Sequence, residues 1–154
     1  MKVQIGLLLV LLTACAPPKV ALHPSKFPNL DDTFTLPKDP SHYLIDHGRY
    51  VLGSNCTMGN INWTVGVNDN NKIIYFETMD TNFETPEGLS MKSTLKEIIK
   101  KGGTTPTLEF GSVYKSRLPS GWYVGFVFGR GVGNEVVPKS EHPSWFCKQI
   151  NVAK

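Results

Sequence analysis

Hydrophobic and polar positions alternate most regularly between Ile61 and Met79. Ile61, Trp63, Val65 and Val67 fall on one side of a two-residue period, with Asn62, Thr64 and Gly66 on the other. That is the pattern of a half-buried strand. Asn68-Asp69-Asn70-Asn71 supplies four turn-favouring residues and Lys72 to Met79 returns, so a β-hairpin is predicted here. The same period runs through "GWYVGFVFG", placing Trp122, Val124, Phe126 and Phe128 on one side and Tyr123, Gly125 and Val127 on the other. The first set is assigned to the core. "TLEFGSVYKSRL" and "SWFCKQINV" read as further strands, separated from their neighbours by "PSG" and by the glycine-rich "GRGVGNEVVPKSEHP".

One stretch departs from this period. In "LSMKSTLKEIIKKGG", Leu95, Ile98 and Ile99 fall on one helical face, with Ser93 or Thr94 as N-cap. Glu97 completes a Thr-x-x-Glu capping box, Lys100 and Lys101 complement the C-terminal dipole, and Gly102 stops the helix. Strands outnumber helices, so the expected fold is α+β: an antiparallel sheet of about five or six strands with one short helix on a face, tied by a disulfide.

The N-terminus has a different character. "MKVQIGLLLVLLTACAPPK" sets Lys2 before an apolar run from Ile5 to Leu12. The run is short of the roughly 20 apolar residues that span a bilayer, as befits an export signal. Leu12-Thr13-Ala14-Cys15 resembles the lipobox of bacterial lipoproteins. The resemblance implies diacylglycerol on the Cys15 sulfur, cleavage before it, and acylation of the new amino group. Two or more acyl chains give stable membrane retention where one does not. Ala16 follows the cysteine in place of Asp, which the resemblance reads as outer membrane if the host is Gram-negative. Residues 16–40 hold six of the eleven prolines and no sustained period. We expect a signal peptide over 1–14, a lipidated proline-rich tether over 15–41 and a globular domain over 42–154. Val20, Leu22, Phe27, Leu30, Phe34 and Leu36 suggest that part of the tether packs along that domain.

Composition narrows the partners. Losing fourteen of 154 residues leaves 140, within the usual span of one domain. Lys2 leaves with the signal, so 15 basic residues stand against 13 acidic ones, a formal charge of +2. Such a charge gives no reason to expect nucleic acid, and the export signal opposes it. With Cys15 lipidated, Cys56 and Cys147 remain as an even pair in an oxidising compartment, and a disulfide between them is expected. Two separate buried thiols are the alternative.

No arrangement of residues spells out catalysis or metal binding. His42 and His47 are five apart outside any helical pattern, His23 and His142 adjoin prolines, and no HxH or HExxH occurs. Asp46, His47 and Ser54 lie close in sequence, but Ser54 lacks the G-x-S-x-G elbow. Gly129, Gly131 and Gly133 are followed by Val136, Val137 and Pro138, which suits a bend better than a phosphate loop. Neither a cofactor nor a metal is expected. Arg117, Tyr123, Arg130 and Trp145 are large side chains without a core assignment, of the types enriched at interface hot spots. We take the loops from Ser116 to Trp122 and from Gly129 to Trp145 as a candidate binding surface.

Two further resemblances concern the mature chain. "FETPEGLSMKSTLKEIIKKGG" resembles the loop, glycine and helix element of small envelope lipoproteins of the SmpA/OmlA (BamE-like) kind, although here a hairpin precedes it. It implies an envelope scaffold or accessory role. "SGWYVGFVFG" is similar in class to membrane-bound inhibitors of c-type lysozyme, small lipoproteins with disulfide-tied β-barrels. The expected function is non-enzymatic binding of an envelope protein or polymer by a membrane-anchored lipoprotein. The alternatives are an inhibitor or immunity factor against an envelope-active hydrolase such as lysozyme, and a divergent envelope enzyme.

Overall fold

The computed structural model describes residues 27–45, 49–109, 113–130, 136–138 and 140–150. Among them the chain forms, in order, β1 (Ser41–Leu44), β2 (Tyr50–Met58), β3 (Ile61–Val67), β4 (Ile73–Thr78), α1 (Leu95–Lys100), β5 (Thr107–Glu109), β6 (Val113–Arg117), β7 (Tyr123–Arg130), β8 (Val136–Pro138) and β9 (Trp145–Gln149). Eight strands make one antiparallel path, β1-β2-β3-β4-β9-β7-β6-β5, and β8 pairs with the far half of β7.

The order has a simple logic. β1 to β4 form one meander, in which each strand pairs with the next. β5 to β7 form a second. β9 enters between them, pairing Glu77 of β4 with Cys147 on one side and Tyr123 of β7 with Cys147 on the other. The last strand therefore joins two locally folded halves into one sheet.

The alternating residues face as the period predicts, apart from Phe128, whose side chain lies outside the described residues. Trp63, Val65, Phe76, Trp122, Val124, Phe126 and Phe146 are buried together on one face. Trp63 and Trp122 meet across β4 and β9, with ring centroids 6.1 Å apart. The loop after β4 lays Phe83 against both, at 5.4 Å from Trp63 and 4.7 Å from Trp122, and adds Leu89. α1 contributes Ile98, fully buried, while Ile99 is exposed and departs from the expected apolar face. With only six residues, α1 turns one apolar side chain inward and leaves the next on its outer surface. Its capping box forms as the sequence predicts: the Thr94 hydroxyl accepts from the Glu97 N–H at 3.3 Å, and the Glu97 carboxylate accepts from the Thr94 N–H at 2.7 Å. Gly102 follows at φ 88°, the left-handed conformation that ends helices.

The packed region reaches upstream of His42. The Asp31 N–H donates to the Ile73 carbonyl, the Phe34 N–H to the Asn71 carbonyl, and the Ile73 N–H to the Asp32 carbonyl, each at 2.9 Å. Leu30, Phe34 and Leu36 rest on the core, and Phe27 sets its ring edge-on to Trp63 and Phe83.

Two expectations are overturned. The α+β sheet of five or six strands is instead a mostly β fold, an eight-strand antiparallel path with a single short helix. The period reading did not resolve β1 and β2, missed β8 and did not divide β5 from β6. The disulfide is also absent: Cys56 and Cys147 form no bond to each other. Cys56 lies on β2 and Cys147 on β9, with β3 and β4 between. Three inter-strand steps of about 4.8 Å set them roughly 14 Å apart, whereas a disulfide needs Cα atoms within about 7 Å. Register adds a second obstacle. Cys56 sits opposite Trp63 and packs on the main core, whereas Cys147 sits opposite Glu77 and packs on the other face.

Candidate functional site

The second face of the sheet differs from the first. Following the pairings across it, Asn55, Thr64, Glu77, Cys147, Tyr123 and Arg117 stand in one row. Facing residues of antiparallel strands point the same way, so the row is a property of register alone. Its centre is apolar and aromatic: Tyr75, Cys147, Ile45 and Val51 are buried there, with Tyr43, Ile74, Tyr123 and Trp145 packed around them. Glycines let these side chains lie flat on the strands. A Cβ at Gly66 would come within 2.6 Å of Val51, and one at Gly125 within 2.0 Å of the Trp145 ring.

On the β2–β4 side the face opens into a groove of about 530 Å³. Asn55, Thr57, Asn62, Thr64, Glu77, Met79 and Asp80 supply its side chains. Strand alternation puts these polar residues together, since Cys56, Trp63 and Thr78 between them turn to the core. The groove is internally hydrogen-bonded. The Thr64 hydroxyl donates to Asn55 Oδ1 at 2.9 Å, the Tyr43 hydroxyl to the same oxygen at 3.3 Å, and the Thr57 hydroxyl to Asn62 Oδ1 at 2.9 Å. Asp80 closes one end, accepting from the backbone N–H of Asn82 at 2.9 Å and of Asn62 at 3.1 Å. Those two N–H groups hold its carboxyl below the ordinary aspartate value.

Glu77 joins the groove to the buried centre. It accepts the hydroxyl proton of Tyr75 in a short hydrogen bond. Burial raises its carboxyl above the ordinary value, opposed by the Tyr75 hydrogen bond and by the cation of Lys115. Burial also raises the Tyr75 phenol, reinforced by Cys147 and Glu77, so the phenol stays protonated and donates. The Lys115 ammonium stands 6.0 Å from the Tyr123 ring centroid.

The candidate residues distribute as follows. Arg117, Tyr123 and Trp145 share the second face: Arg117 pairs with Tyr123, and Trp145 with Gly125. Arg117 is exposed, whereas Tyr123 and Trp145 are half-buried and packed beside Cys147. Arg130 ends β7, and its side chain lies outside the described residues, as do Cys15, His23, Asp46 and His47. Ser54 donates to the neighbouring Asn55 carbonyl at 3.2 Å. His42 lies on β1, and His142 Nδ1 is 3.1 Å from the Ser93 carbonyl. Among the described residues, no three His, Cys, Asp or Glu side chains converge as a metal site would require. Sequence reasoning missed the Asn55–Asp80 groove. Its polar positions were visible as the outer half of the Ile61–Val67 alternation, but the partners from β2 and β4 become neighbours only through register. No protein-family model, curated protein or solved structure matches this chain.

Proposed function

We propose that this chain is a bacterial envelope lipoprotein, held to the membrane by lipid on Cys15, whose β domain binds an envelope protein or polymer without catalysing a reaction. In a Gram-negative host the outer membrane is its place, with the folded domain in the periplasm. The lipobox Leu12-Thr13-Ala14-Cys15 supports the anchoring. The observation that carries the binding role is the open groove, walled by amides, hydroxyls and the carboxylates of Glu77 and Asp80, most of them already ordered by hydrogen bonds to one another. Side chains held in place before a ligand arrives lose little entropy on binding. Arg117 stands on the same face at the far end of the row, so a large partner could engage both ends.

The test is capture from chemically crosslinked envelopes by the full-length, lipidated protein. Thr57 is exposed in the groove, so Thr57→Lys plugs it while leaving the core intact. Partners should be lost with this variant and weakened with Arg117→Ala. Equal capture by wild type and both variants overturns the assignment of this face. Labelled palmitate should enter the wild-type chain and not Cys15→Ser; failure to label the wild type overturns the anchoring.

A further inference from the structure

The hydroxyl donors of the groove are already spent. The hydroxyl protons of Thr57 and Thr64 are committed to Asn62 and Asn55, so both hydroxyls keep only lone pairs for a ligand. Tyr75 commits its proton to Glu77, and Asn62 Nδ2 leans on Asp80 Oδ2 at 3.4 Å. Beside the remaining Asn55 and Asn62 amide protons, the walls keep the threonine lone pairs and two carboxylates, and among the described residues no Lys, Arg or His lines the groove. Met79, 62 % exposed, adds a polarisable apolar surface beside them. The chain as a whole is basic, so this negative, acceptor-rich concavity is a local feature.

We infer that the groove receives an arginine side chain presented by a partner polypeptide. This deepens the binding role proposed above and rests on it. A guanidinium is the complement of such walls: it carries five N–H donors and no acceptor, in a planar fork that matches carboxylate geometry. Its aliphatic stem can lie along Met79 while the head reaches Glu77, Asp80 and the threonine oxygens. Lys115, on the far side of Glu77, offsets part of that carboxylate's charge, which leaves Asp80 and the hydroxyl lone pairs to complete the match. A neutral glycan fits less well. It would leave the two carboxylates without a cation, and the Trp63 ring that lines the groove is 1 % exposed and faces the core, so that ring offers no surface for a sugar to stack on.

The test uses the purified full-length protein in detergent and a fluorescein-labelled pentapeptide, Ala-Ala-Arg-Ala-Ala, read by anisotropy. Its counterpart carries citrulline, which keeps the shape and loses the charge. The arginine peptide should bind saturably, at least about tenfold tighter than the citrulline peptide, and more weakly as salt rises. Glu77→Gln keeps an oxygen for the Tyr75 hydroxyl and should weaken the arginine peptide by about tenfold or more, with circular dichroism unchanged. Lys101→Ala, on the helix end away from the groove, should leave it unaltered. Equal binding of both peptides, or no effect of Glu77→Gln, overturns the inference, as does displacement of the arginine peptide by an N-acetylglucosamine tetramer at equal concentration. Envelope capture that depends on Thr57 but not on Glu77 would retain the binding role and reject arginine as its ligand.

Discussion

Trp145 lies flat over Gly125: a Cβ built on that glycine would stand 2.0 Å from the indole Cε2 and 2.3 Å from Cζ2. The two residues face each other across β7 and β9, at the seam where the last strand joins the two meanders. Gly125→Ala should therefore push the indole off the seam and destabilise the fold by about 1–3 kcal/mol, the usual cost of overpacking. Trp145→Ala should remove most of that cost in the double variant. Urea unfolding of the two singles and the double measures the coupling, and strictly additive losses contradict the clash.

The thiols offer a second check. Cys147 is fully buried and Cys56 half-buried, on opposite faces of the sheet. Native alkylation should label Cys56 slowly, since burial raises its thiol above the ordinary value, and should spare Cys147 until the protein unfolds. Mass spectrometry of unreduced, unfolded protein should find both alkylated. A crosslinked Cys56–Cys147 peptide would contradict the strand order.

Glu77 makes stability depend on pH. Burial holds its folded-state carboxyl above 4.5, so the folded chain binds this proton more tightly than the unfolded chain does. The contribution to stability is full below the unfolded value and is lost as pH rises through the folded one. Glu77→Gln should abolish the loss. In urea titrations from pH 4 to 7.5, the variant should gain on wild type as pH rises. A difference independent of pH would show that the carboxyl is not desolvated.

α1 is too short to persist by itself and depends on its cap. Thr94→Ala removes the hydroxyl that accepts from the Glu97 N–H and should cost about 0.5–2 kcal/mol. Because α1 seats Ile98 in the core, hydrogen exchange should accelerate first at Ile98 and Lys101, whose N–H groups donate to Thr94 and Glu97. Unchanged exchange there would mean that packing alone holds the helix.

The sequence by itself determined several of the local elements. The alternation of Ile61, Trp63, Val65 and Val67 makes β3 and chooses its buried side, and Trp122, Val124 and Phe126 do the same around β7. Thr94 and Glu97 define the start of α1 through a contact three residues long. These features depend on periodicity and near neighbours, which a single strand or turn contains. Only the tertiary structure decided that β9 enters between β4 and β7, because either meander presents an edge and nothing local in "SWFCKQ" names its partners. That insertion sets Cys56 and Cys147 on opposite faces, against the pairing that compartment and cysteine count alone suggest. It also places Cys147 beside Glu77, while the β2–β3–β4 register aligns Asn55 and Thr64 with Glu77 along one wall. A one-residue slip would send every one of these side chains to the other face, so the groove belongs to the long-range register and not to the period of any one strand.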